Sequence, residues 1–106
     1  MIRIQREGPA CVTLKGHAGS DVYGRDLVCA GVSALALTLG ETAAALPGAE
    51  VTLRPGDSSI RCAPEAKAVA AFDCVCGGFA LLARKYPGFI SFSQVKSSVS
   101  GGEKTF

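Results

Sequence analysis

Apolar and polar residues alternate at the start of the chain. Ile2 and Ile4 fall on one side of an extended segment and Arg3 and Gln5 on the other, which predicts a half-buried strand over residues 1–7. Gly8-Pro9 turns the chain, and Val12 and Leu14 resume the alternation in a second strand over 11–16, completing a hairpin. After a short glycine-containing stretch the period changes. From about Asp26 to Leu46 the segment is apolar on nearly every face, through Leu27, Val28, Val32, Leu35, Leu37, Leu39 and many alanines, until Pro47-Gly48 stops it. It reads as a long helix. A helix resting only on a sheet keeps a polar side; this one lacks it, so it is expected to be covered twice, once by its own sheet and once by a second subunit. Residues 49–54 and 58–63 flank the turn cluster "PGDS" and read as a second hairpin. Pro64 and Glu65 open a second helix that runs to about Tyr86. Val69, Phe72, Cys76, Phe79 and Ala83 mark its core face, and Glu65, Lys67, Arg84 and Lys85 its wet one. Pro87-Gly88 ends it, and residues 89–95 form a last strand. The order β-β-α-β-β-α-β predicts an α+β fold: two helices packed on one face of a mainly antiparallel sheet. Residues 1–96 are expected to form a single domain and 97–106 a frayed C-terminal tail.

Composition narrows the picture. A chain of 106 residues with 48% hydrophobic content and a mean hydropathy of +0.31 is not disordered, and it carries more apolar surface than a small monomer readily hides. An oligomer is expected. The net charge is +2 and the eleven basic residues are scattered, only Arg84-Lys85 adjoining, so direct nucleic-acid binding is not expected. The first residues alternate and lack the apolar core of a signal peptide. The longest apolar run, Leu27 to Leu39, is broken by Gly31, Ser33 and Thr38 and is too short to span a bilayer. A cytoplasmic protein without membrane attachment is the expectation. Five cysteines, an odd number in a reducing compartment, argue against a disulfide framework.

The chemistry gathers where the second strand gives way to the first helix. His17, the single histidine, stands at the strand end, and Cys29 follows twelve positions later in the first turn of the helix. Unpaired amides and the positive end of the helix dipole favour an anion there. A histidine within reach would take the thiol proton and hand it to a leaving amine. The bland alternatives are a solvated or capping histidine and a cysteine that fills core space. Asp26 has two available roles, capping the helix or orienting His17. Ser33, one turn below Cys29, would either hydrogen-bond the site or bond back to the Cys29 carbonyl. The amides of the helix start, that of Cys29 among them, are the natural donors for an oxyanion. The stretch Ala18, Gly19, Ser20, Asp21, Val22, Tyr23 and Gly24 is expected to be a substrate loop. Within it Tyr23 either lines a pocket or staples the start of the helix.

These residues also carry a resemblance. Gly16-His17-Ala18, then Gly24-x-Asp26-Leu27-Val28-Cys29-Ala30-Gly31-Val32-Ser33, resembles the signature of the ribosomal-processing cysteine proteases, the Prp (YsxB-like) family; the chain length, the element order and "KYPGFISF" before the tail resemble it too. The resemblance implies a cysteine endopeptidase that removes the N-terminal extension of large-subunit ribosomal protein twenty-seven, cutting between a phenylalanine and a small residue during ribosome maturation. It implies Cys29 as nucleophile, His17 as general base and acid, Asp26 as an assisting position, no cofactor, and a homodimer joined through its helices. Cys62, Cys74 and Cys76 are not part of the family pattern. A Cys-x-Cys without a second histidine or a further pair is a poor zinc signature, so no metal is expected and core packing or incidental surface placement is the reading for all three; Cys11 likewise reads as structural. The alternative function is a non-catalytic, dimeric ribosome-associated binding factor.

Overall fold

A computed structural model of the chain describes residues 1–17 and 25–94, with the side chains of residues 25 and 26 excepted. Its elements are β1 (Ile2–Gly8), β2 (Cys11–Lys15), α1 (Arg25–Ala44), β3 (Glu50–Arg54), β4 (Asp57–Arg61), α2 (Ala66–Lys85) and β5 (Ile90–Gln94). The order is the expected β-β-α-β-β-α-β, and the fold is α+β. The strands form one five-stranded sheet in the order β3-β4-β2-β1-β5, antiparallel throughout except for β1 and β5, which run parallel. That parallel pair follows from the connection: α2 carries the chain from the end of β4 back across the sheet before β5 begins.

The alternation in the strands works as predicted. Ile2, Ile4, Val12, Leu14, Ile60 and Ile90 point to one face and merge into a single core with Val28, Val32 and Leu39 of α1 and Phe72 and Phe79 of α2. The opposite face is polar, with Arg3, Gln5, Lys15 and Arg61. Glycine lets the helices approach closely. A Cβ built at Gly78 of α2 would stand 2.9 Å from Leu35 of α1, and one at Gly31 of α1 would meet Leu82 of α2 at 3.5 Å. At Gly40 the sheet takes the helix's place, with Leu53 and Val51 of β3 at 3.0 and 3.3 Å.

Several boundaries differ by a residue or two for local reasons. Helix α1 is already formed at Arg25. It ends at Ala44 rather than Leu46, because Ala45 and Leu46 donate to the carbonyls three residues back, Thr42 and Ala43, and tighten the last turn. Strand β2 stops at Lys15 because Gly16 adopts a positive φ of 91°. The core stripe of α2 comprises Ala68, Phe72, Val75, Cys76 and Phe79, whereas Val69 and Ala83 are only half-buried. The stripe is rotated from the expected one because α2 serves two neighbours, α1 on one flank and β5 on the other.

The outer side of α1 is apolar, as its sequence implied: Leu27, Ala30, Ala34 and Leu37 are all exposed, Leu27 at 65%. The chain by itself therefore covers α1 once. By length and composition alone, Leu27–Ala44 and Ala66–Lys85 are each long enough and apolar enough to cross a membrane. This corrects the length argument made from the apolar run, since alanine and glycine extend both stretches. Each helix, however, lays one face on the sheet.

Candidate active site

The site is set by how β2 ends. Lys15, its last residue, pairs with Asp57 across the strand at 2.6 Å. This hydrogen bond, reinforced by the ammonium charge, holds the Asp57 carboxyl below its ordinary range. At Gly16 the chain turns out of the sheet. Only glycine fits: φ is positive, and a side chain would run into the Met1 carbonyl oxygen. The Gly16 amide donates to the Gly56 carbonyl at 3.0 Å, which clips the end of β2 to the β3–β4 turn. His17 follows and is exposed. The far edge of its ring lies against Gly56, where a Cβ would stand 2.6 Å from Nε2 and 2.9 Å from Cε1.

Cys29 is half-buried, with its neighbours Val28 and Val32 locked into the core. Helix α1 is described from Arg25 onward, and Cys29 lies near the beginning of that span. Asp26 lies within the described span of α1. The Asp26 side chain, and the loop Ala18, Gly19, Ser20, Asp21, Val22, Tyr23 and Gly24, lie outside the described residues. Ser33 is exposed. Among the described residues the bond from a helix hydroxyl to the carbonyl four residues back is made by Thr38 to Ala34, at 2.7 Å, and not by Ser33 to Cys29.

The β3–β4 turn comes to the end of the sheet where β2 stops and β1 starts. Helix α1 leads through Gly48 into β3, which turns back beneath it, so that Val51 and Leu53 lie against Gly40. At the opposite end Arg6 donates to the carbonyls of Gly8 and Pro9, at 3.3 and 2.8 Å, and pairs with Asp73 of α2 at 2.8 Å, tying the first hairpin to that helix. Cys11 and Cys62 also lie at that end. Burial pushes the thiols of Cys11, Cys62 and Cys76 above their ordinary range. Cys62 and Cys76 are core residues and Cys74 is exposed, which fits packing and incidental placement.

A free cysteine near a helix start and a lone histidine at a strand end are the residue types that acyl transfer uses. Residues 1–91 match the family model described as cysteine protease Prp. The chain belongs to that family. The Prp match spans both His17 and Cys29. Among solved structures, the essential ribosomal processing protease Prp from S. aureus in complex with a substrate peptide superposes with a TM-score of 0.77 at 19% identity, covering 90% of this chain and 100% of that one. The same protease with a covalently linked product peptide gives 0.76 at 21% identity and the same coverage. SMU.848 from Streptococcus mutans gives 0.66 at 27% identity, covering 88% of this chain and 90% of that one. No curated protein sequence matches. The chain thus belongs to a family of cysteine proteases and shares the fold of these solved structures. Reading the sequence did not single out Gly56 as a neighbour of the histidine. The available signal was the Pro-Gly turn at a hairpin length that brings it level with Gly16.

Proposed function

We propose that this chain is a cysteine endopeptidase that removes the N-terminal extension of large-subunit ribosomal protein twenty-seven, cutting after a phenylalanine and before a small residue. Its family membership across residues 1–91 carries the reading. Cys29 attacks the scissile carbonyl carbon through Sγ, and His17 accepts the thiol proton. His17 then donates that proton to the departing amine, leaving a thioester on Cys29. Water, deprotonated by the same imidazole, attacks the thioester, releases the acid and returns the thiol. The half-buried thiol and the exposed imidazole suit these roles, since both must meet a peptide arriving from solvent. The peptide is held by apolar contacts and strand-like backbone pairing rather than by charge, in keeping with a net charge of only +2.

The working form is a homodimer in the cytoplasm, joined across the exposed apolar side of α1 that carries Leu27 and Leu37. No observation favours the non-catalytic binding factor. The test is incubation with a precursor bearing a Phe-Ala junction, followed by mass spectrometry. Wild type shortens the precursor at that junction; Cys29→Ala and His17→Ala each slow the cut by at least about 10³-fold. Cleavage by either variant at the wild-type rate overturns the assignment.

A further inference from the structure

We propose that the β3–β4 turn is the seat of the His17 imidazole, and that Gly56 is a positioning residue for it. The inference rests on the protease reading for its consequence, but on contacts for its substance. Three contacts converge on this turn. The Gly16 amide donates to the Gly56 carbonyl at 3.0 Å, fixing the backbone immediately before the histidine. The Lys15–Asp57 pair, at 2.6 Å, holds the strand end in register with the turn. The Cε1–Nε2 edge of the His17 ring rests on the Gly56 α-carbon, in the space where any other residue would carry its side chain.

The sequence supplies this seat economically. Pro55 followed by Gly56 at a φ of +74° is the signature of a type II turn, which needs glycine in its third position. The same missing side chain that permits the turn leaves room for the ring. Nε2, Cε1 and Cδ2 are the ring atoms nearest the turn, so the imidazole presents its Nδ1 away from it. A methyl group at Gly56 would stand 2.6 Å from Nε2 and force the ring to move. A shift of that order in a catalytic group lowers turnover by up to about a hundredfold without removing the group.

A matched control exists in the same chain. Gly48 has a φ of +72° and a built Cβ there meets the Ala63 amide nitrogen at 3.1 Å, at the end of the sheet remote from His17. Gly48→Ala and Gly56→Ala therefore impose the same backbone strain, and only the second touches the imidazole. Because the chain has one histidine, its ring protons give unambiguous NMR signals.

The expected result has three parts. In wild type a nuclear Overhauser effect links the His17 Cε1 proton to the Gly56 α-protons. Gly56→Ala moves the ring signals and lowers kcat about tenfold to a hundredfold with KM little changed. Gly48→Ala loses comparable thermal stability but leaves ring signals and kcat where they were. Absence of the Overhauser effect, unmoved ring signals in Gly56→Ala, or an equal loss of kcat in both variants overturns the seat. Unimpaired cleavage by His17→Ala would overturn only the protease assignment, the seat then being decided by the Overhauser effect and the ring signals.

Discussion

Five thiols in one small domain differ in what surrounds them, and that difference has measurable consequences. Cys74 is exposed and Cys29 half-buried, whereas Cys62 and Cys76 are enclosed in the core. Alkylation of the native protein, followed by peptide mass mapping, should modify Cys74 and Cys29 first and reach Cys62 and Cys76 only after unfolding. The Cys76 thiol is pushed up by burial first, then by Asp73, with Arg6 opposing. A folded-state value raised above the unfolded one stabilises the fold fully at pH below the ordinary value of 9.0 and is lost as pH climbs through the raised value. Thermal melts between neutral pH and about pH 10.5 should therefore fall less steeply for Cys76→Ala than for wild type. Removing the sulfur also opens a small cavity, so that variant starts from a lower melting temperature.

Glycine does three separate jobs in the elements, and substitution separates them. At Gly77 on the outer side of α2 a Cβ would touch nothing within 4 Å, so Gly77→Ala gains helix propensity alone. It should stabilise the domain by about 0.5–1 kcal/mol, a rise of several degrees in melting temperature. At Gly78, one residue along, the same methyl meets Leu35 at 2.9 Å, and the propensity gain is offset by the displacement of that side chain. Gly16→Ala meets a backbone oxygen in a left-handed conformation and has no flexible neighbour to yield, so it should be the most destabilising of the three. Calorimetry on the set should return the order Gly77→Ala, Gly78→Ala, Gly16→Ala from most to least stable.

At the scale of the whole molecule, the apolar flank of α1 is the feature one chain leaves unfinished. Leu27 and Leu37 stand 65% and 56% exposed on it, far from the sheet. If a second copy covers this flank, Leu37→Asp should convert a dimer into a monomer in sedimentation velocity at micromolar concentration, because a carboxylate buried without a partner is unfavourable. The internal core is independent of that contact. Phe72, fully buried between the helices and the sheet, should cost about 3–5 kcal/mol when truncated to alanine, enough to unfold much of a domain this size.

The element order, the inward faces of the strands and the family to which the chain belongs were all legible in the chain, because period, turn residues and a continuous motif are local properties. Sheet order, the parallel β1–β5 pair and the rotated stripe of α2 were not. They depend on which surfaces meet, and several arrangements satisfy the same pattern of apolar positions. The contact of the imidazole with Gly56 is the clearest case. Nothing within thirty residues of His17 announces it; it exists because two hairpins of matching length lie side by side, and distance in space, unlike distance along the chain, is fixed only when the sheet closes.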